Sequence, residues 1–167
     1  MSEGVALHVV ATGGTFDKRY NAIEGVLDFG ESHVAAMLNR ARVDLRSVTL
    51  EVLPLMDSLD MRDADRQRIV SACSRARGSA ILIIHGTDTM QETAAALASA
   101  VPGKTIVLTG AMVPYEVAES DALFNLGFAF GAAKWLVPNV YIAMNGRVFS
   151  WDNVRKNRLV GRFEPKK

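Results

Sequence analysis

Short apolar runs, each closed by a small-residue turn and followed by a stretch with helical spacing, recur along the whole chain. This alternation constrains the fold more than any other feature. Val5–Ala11 is a continuous apolar run ending at Gly13-Gly14, the pattern of a strand buried on both faces. Residues 15–30 read as a polar loop containing Gly25 and Gly30. Over 31–41, Val34, Met37, Leu38 and Ala41 fall at helical spacing. Ser47–Leu53 is rich in β-formers and is expected to stop at Pro54. A helix is expected over 63–77, with Ile69, Ala72, Cys73 and Ala76 on one face and Gly78 ending it. Ala80–Ile84 and Thr105–Thr109 read as two more buried strands. Between them, Thr89-Met90-Gln91-Glu92 has the form of a capping box opening an alanine-rich helix that Pro102-Gly103 breaks. A fourth helix is expected over 121–136, capped by Ser120, and then a strand over 139–143. Asn145-Gly146 should turn that strand back through 147–151. The basic tail from Arg155 to Lys167 shows no period.

Five strands alternating with four helices predict a doubly wound, flavodoxin-like α/β fold of three layers around a five-stranded, mainly parallel sheet. Residues 1–167 are expected to form a single domain. At 49% hydrophobic and 22% charged, the composition supplies one packed core. Nineteen basic residues against eighteen acidic ones leave a net charge of +1, so a nucleic-acid partner is not expected. The single cysteine, Cys73, excludes an intrachain disulfide and reads as a small buried hydrophobe. No cysteine–histidine set has zinc spacing, and no apolar run is long enough to span a membrane. The N-terminus has no basic segment of the kind that opens a secretion signal, so a cytoplasmic location is expected.

In doubly wound folds, ligands bind at the carboxyl ends of the strands. Those ends hold Ala11-Thr12-Gly13-Gly14-Thr15, Asp57-Ser58-Leu59-Asp60-Met61, His85-Gly86-Thr87-Asp88-Thr89 and Thr109-Gly110-Ala111-Met112. Glycines there let backbone approach a ligand closely, but the spacing is not Gly-x-Gly-x-x-Gly, which disfavours a nucleotide. In the third stretch a hydroxyl, a carboxylate and a helix start coincide, a setting able to stabilise an oxyanion. His85 reads either as a base beside Thr87 or as a buried histidine fixing the turn, the second being favoured. Lys156 reads either as part of a solvated basic tail or as a partner of Asp88 that helps to deprotonate Thr87. Taken together, these stretches point to a polar small-molecule site on one rim of the sheet.

Ala-Thr-Gly-Gly-Thr at 11–15 and His-Gly-Thr-Asp-Thr-Met at 85–90 resemble the two signatures of bacterial-type asparaginases. Gly-Ala-Met at 110–112 and Ser-Asp-x-x-x-Asn-Leu at 120–126 are also similar to that family. The resemblance implies an amidohydrolase that converts L-asparagine to L-aspartate and ammonia through an acyl-threonine, without metal or organic cofactor. It implies Thr12 as nucleophile, with Thr15 supporting the turn. Thr87, Asp88 and Lys156 become the second catalytic threonine, the aspartate and the lysine, and Tyr20 the tyrosine of a shortened lid. Asp57, Ser58 and Asp88 become substrate-binding groups, and backbone N–H groups near Thr87 and Ala111 the oxyanion donors. A glutaminase, an amidotransferase-type amidase subunit and a non-catalytic asparagine- or aspartate-binding module are the alternatives. Members of the family typically carry a second, smaller domain. This chain is expected to be a short form without it, and Leu59 stands where many members are polar. The helix over 121–136 is apolar on nearly every side, so a homodimer or larger homo-oligomer is expected.

Overall fold

The computed structural model describes residues 6–166, so Val5 and Lys167 lie outside the described residues. The chain begins with β1 (Leu7–Gly13) and a short 3-10 turn over Thr15–Asp17. Next come β2 (Lys18–Asn21), β3 (Val26–Phe29), α1 (Val34–Arg40), β4 (Val48–Met56) and α2 (Asp63–Arg75). After these follow β5 (Ala80–Ile84), α3 (Met90–Ala100), β6 (Thr105–Thr109), α4 (Ala122–Trp135) and β7 (Asn139–Met144). Three short strands end the chain: β8 (Arg147–Ser150), β9 (Arg155–Asn157) and β10 (Arg162–Glu164).

The main sheet has the order β4-β1-β5-β6-β7-β8. Its first five strands are parallel, and β8 runs antiparallel to β7. The five-stranded parallel core is therefore the expected flavodoxin-like one, and the Asn145-Gly146 hairpin adds a sixth strand. Asn145 and Gly146 both adopt positive φ, at 56° and 71°, as a two-residue hairpin turn requires. Each face of the sheet is covered. Val10, Ile81, Ile83, Ile106 and Leu108 pack with Ile69 and Cys73 of α2 and with Ala94 and Leu97 of α3. Val9, Ala11, Leu82, Ile84 and Val107 pack with Met37 and Leu38 of α1 and with Leu126, Ala129 and Ala133 of α4. Burial on both faces is why β1, β5 and β6 read as unbroken apolar runs.

Several local expectations are corrected. Residues 15–30 are not a loop: β2 and β3 form an antiparallel hairpin separate from the main sheet. The tail holds a second separate hairpin, β9 with β10. Strand β4 runs through Pro54 to Met56 because it is an edge strand, where a missing N–H need not break a ladder. Helix α2 ends at Arg75, and its last carbonyls are met by Lys104, whose Nζ donates to Cys73 O and Ala76 O at 2.7 Å each, so Gly78 is not its cap. The capping box at Thr89–Glu92 does not form. Thr89 Oγ1 donates to Ser58 O at 2.8 Å, and Glu92 pairs with Arg66 at 2.6 Å.

Candidate active site

The rim is assembled around two glycines that must be glycine. Gly13 and Gly14 leave β1 with φ of 100° and 72°. A Cβ on Gly13 would meet Met56 N at 2.6 Å, and one on Gly14 would run into the Gly86 backbone. The turn after β1 is thus pressed between the ends of β4 and β5, and the chain first presents a side chain clear of the sheet at Thr15. Thr15 is half-buried and opens the 3-10 turn. Thr12 is placed differently. It lies within the strand, 2% exposed, and its hydroxyl donates to Ile84 O at 2.8 Å. It lines a small space with Leu53, Met56, Met61 and Ile69 under the rim. This placement goes against Thr12 as the attacking group, because its hydroxyl is committed to a backbone carbonyl and closed off by the core.

At the end of β5 the favoured reading of His85 fits its surroundings. The ring is fully buried, its Nδ1–H donates to Gly86 O at 2.7 Å, and its Nε2 accepts from Thr93 Oγ1 at 2.8 Å. Desolvation, aided by the charge of Arg66, pushes its pKa down to about 4, so it is neutral and occupied as a spacer of the turn. The turn then offers Thr87 and Asp88. Lys156 Nζ from β9 donates to Thr87 Oγ1 at 2.8 Å and to Asp88 Oδ1 at 2.9 Å, joining residues far apart in the chain. Thr87 is 5% exposed, and among the described residues its hydroxyl meets the sulfur of Met112, at 3.9 Å, as acceptor. Arg158 adds a second cation, with NH2 at 3.4 Å from Asp88 Oδ1.

Ser58 is buried behind Gly86, with Oγ accepting from Thr89 N at 3.4 Å. Asp57 accepts from Lys18 Nζ at 2.6 Å and from Leu59 N at 3.0 Å. Desolvation tends to raise the Asp57 pKa. The Lys18 and Leu59 hydrogen bonds and the charges of Lys18 and Lys156 outweigh it and hold the carboxyl below its usual range. Ala111 is buried at the end of β6. The next two amides, Met112 N and Val113 N, each donate to Asp121 at 3.0 Å and so are occupied. Tyr20 is 64% exposed on β2 and is not brought to the Thr87–Asp88–Lys156 group. Among the described residues, no group of three or more His, Cys, Asp or Glu could hold a metal ion.

Sequence reasoning missed Lys18, Arg158 and the role of the Ser120–Leu126 stretch. Asp121 gathers Met112 N, Val113 N and Asn125 Nδ2, and Asn125 Nδ2 also donates to Gly110 O at 3.0 Å. Asn125 Oδ1 accepts from Asn145 N at 3.3 Å, and Asn145 Oδ1 accepts from Phe163 N at 3.2 Å. Phe163 is the register partner of Lys156. The motif therefore ties the β6 end to the hairpin that carries the lysine. The exact spacing of the motif was its only signal in sequence.

The family described as "Asparaginase, N-terminal" matches over residues 6–162. The chain belongs to that family. It is similar to L-asparaginase 1 of Escherichia coli K12, to which it is 31% identical over 93% of its own length and 48% of that protein's. The chain thus spans about half the length of the curated relatives it matches. Among solved structures it is similar to the thermostable L-asparaginase from Thermococcus kodakarensis, with a TM-score of 0.82 and 28% identity, covering 95% of this chain and 50% of that one. It is similar also to L-asparaginase I from Vibrio cholerae, with a TM-score of 0.82 and 27% identity, covering 98% and 52%. Among the described residues, no helix is long and apolar enough to cross a membrane.

Proposed function

We propose that the chain hydrolyses the side-chain amide of L-asparagine, releasing ammonia and L-aspartate. The observation that carries this reading is the Lys156 ammonium held between Thr87 Oγ1 and Asp88 Oδ1 at 2.8 and 2.9 Å, beside the glycine turn of β1. Family membership supports the amide chemistry.

In this reading Thr15, not Thr12, attacks the amide carbon. Its hydroxyl oxygen forms the new bond while its proton is relayed through the Thr87 hydroxyl to the leaving nitrogen, beside the Lys156 ammonium. The tetrahedral intermediate collapses with cleavage of the C–N bond, the leaving nitrogen takes a proton, and ammonia departs. Water then attacks the acyl-threonine ester and restores the Thr15 hydroxyl. Asp88 holds Lys156 in place and meets the substrate's α-ammonium, while Ser58 and Asp57 border the α-carboxylate end. Tyr20 acts only when the β2–β3 hairpin folds over bound substrate. The groups named need no metal.

We also propose that the active form is a homodimer or larger homo-oligomer. The inner face of α4 uses Ala122, Asn125, Leu126, Ala129 and Ala133, while Phe124 and Trp135 remain 63% and 88% exposed on its outer side. An exposed aromatic helix face of this kind marks an interface. Light scattering of the purified chain at micromolar concentration should give a mass of at least twice 18.1 kDa.

The direct test of function is ammonia release from L-asparagine and L-glutamine measured side by side. Asparagine is expected to be the better substrate, since the extra methylene of glutamine displaces its amide from the reacting groups. A preference for glutamine would turn the reading toward a glutaminase.

A further inference from the structure

We propose that Met112 is an oxidation site at which hydrogen peroxide switches off the hydrolase, because the sulfoxide formed there captures the proton of the Thr87 hydroxyl. The inference rests on the hydrolase reading and adds a covalent modification to it.

Lys156 Nζ donates to Thr87 Oγ1 at 2.8 Å. An ammonium has no acceptor, so the proton of Thr87 must point elsewhere. Among the described residues it points at Met112 Sδ, 3.9 Å away. A thioether is a weak acceptor. The proton is therefore lightly held, as a group that passes protons to a leaving nitrogen requires. Packing keeps the two side chains together. Thr87 is buried, and its Cγ2 lies so close to Gly110 that a Cβ there would meet it at 3.3 Å. On the other side, Asp121 accepts from Met112 N at 3.0 Å.

Access singles out the same sulfur. Met37, Met61, Met90 and Met144 are buried, whereas Met56 and Met112 are half-buried. An oxidant reaches exposed sulfur first. Two other threonine hydroxyls donate to methionine sulfurs, Thr93 to Met61 at 3.8 Å and Thr109 to Met144 at 3.6 Å, but both of those pairs are buried. Met112 joins partial exposure to a hydroxyl contact, and the hydroxyl is the one that Lys156 reaches.

The modification is a two-electron oxygen transfer. The Met112 sulfur attacks one oxygen of hydrogen peroxide, and the O–O bond breaks. The proton of the attacked oxygen goes to the departing hydroxide, which leaves as water. The sulfur is oxidised to the sulfoxide and the peroxide is reduced. An oxygen on the side of Sδ that faces Thr87 brings the gap of 3.9 Å into ordinary O–H···O range. It is also a far stronger acceptor than the sulfur it replaces. The Thr87 proton then stays on the sulfoxide while Lys156 holds the hydroxyl oxygen, and the relay from Thr15 to the leaving nitrogen stops. A thiol-dependent reductase that removes the oxygen as water restores the relay.

The test treats wild type, Met112→Leu and Met56→Leu with hydrogen peroxide and then removes the peroxide with catalase. Ammonia release from L-asparagine is compared with each protein's own untreated sample. Peptide mass mapping reads oxygen uptake at each methionine, and thermal unfolding reads the fold. Wild type and Met56→Leu should lose at least about tenfold in kcat as Met112 gains one oxygen, with KM within about twofold and the melting temperature close to the untreated value. Methionine sulfoxide reductases for both epimers, with dithiothreitol, should return the activity of wild type. Treated Met112→Leu should keep its own untreated rate within about twofold. Oxygen uptake at Met112 with activity retained would overturn the proposal, and so would equal inactivation of Met112→Leu. A loss that tracks a fall in melting temperature would mean that oxidation loosens the core, and would overturn it too. Untreated wild type that releases no ammonia would overturn the hydrolase reading, and this proposal with it. Active wild type whose Met112 stays unoxidised would overturn this proposal alone.

Discussion

Two small hairpins stand apart from the main sheet, and they are held in opposite ways. The β9–β10 hairpin is anchored in the core: Val154 and Phe163 are buried, and Asn145 takes the Phe163 amide. The β2–β3 hairpin is held near its root, where Arg19 also meets Glu116 and His33. There Asp17 is buried and accepts from Ser32 Oγ and His33 N at 2.8 Å each, and Lys18 meets Asp57. Beyond the root, Tyr20, Ile23, Val26 and Leu27 are exposed. The anchored hairpin brings Lys156 to hydrogen-bonding distance of Thr87 and Asp88, whereas the other leaves Tyr20 out of contact. A group that handles protons must keep its distance from its partners within tenths of an ångström, whereas a group on a cover can be delivered with the ligand.

The largest effect should come from the anchored side. Lys156→Met should lower kcat by about 10²–10⁴-fold while leaving the melting temperature close to that of wild type, as checked by steady-state kinetics and thermal unfolding. Tyr20→Phe should cost less by at least about tenfold. Equal losses in the two variants would break the contrast between the hairpins.

Next in size is a pH effect that separates the two supports. The folded-state pKa of His85 is pushed down to about 4 from 6.5, so the unfolded chain binds the extra proton between these values. Its contribution is fully present above pH 6.5 and is lost as pH falls toward 4, amounting to about 3 kcal/mol. Asp17 has the opposite sign. Desolvation outweighs its hydrogen bonds and raises its pKa, so its contribution grows on acidification. Denaturant unfolding across pH 7 to 4 should show a fall in wild type that His85→Gln flattens and Asp17→Asn steepens. A flat His85 difference would deny the histidine its place under the turn.

Smaller still is the anchor itself. Asn145→Ala removes the acceptor for Phe163 N and the strain-tolerant residue at φ 56°, and should lower kcat about tenfold with little change in KM. Smallest is Thr12→Val, which fills the same buried space and should change kcat by no more than about twofold.

Much of this was legible in the chain. Ala80–Ile84 and Thr105–Thr109 were read to the residue because strands buried on both faces have no polar interruption, and the turns bounding them are small residues. The edge position of β4 was not legible, since Pro54 looks like a stop until it is known that its missing N–H faces no neighbour. Both separate hairpins were hidden because their strands are three or four residues long and mostly polar. Of the site, Thr87, Asp88 and Lys156 were named as a group and lie together. Thr12 was expected as the nucleophile, and its place in the strand is the reason Thr15 is proposed instead. Thr12 still belongs to the strand, where every position but His8 is buried, and the chain leaves the sheet only after Gly13 and Gly14. Lys18–Asp57 and Arg158–Asp88 are ion pairs between distant segments, and no local pattern announces them.

In the proposed reaction Thr15, working beside the anchored Lys156–Thr87–Asp88 group, opens the amide of asparagine. Ammonia release from saturating L-asparagine, measured for wild type, Thr15→Ala and Thr12→Val under identical conditions, tests it most directly. Wild type and Thr12→Val are expected to turn over at similar rates, with Thr15→Ala slower by at least about 10²-fold. Near-normal turnover in Thr15→Ala, or collapse in a folded Thr12→Val, would rule out Thr15 as the attacking group.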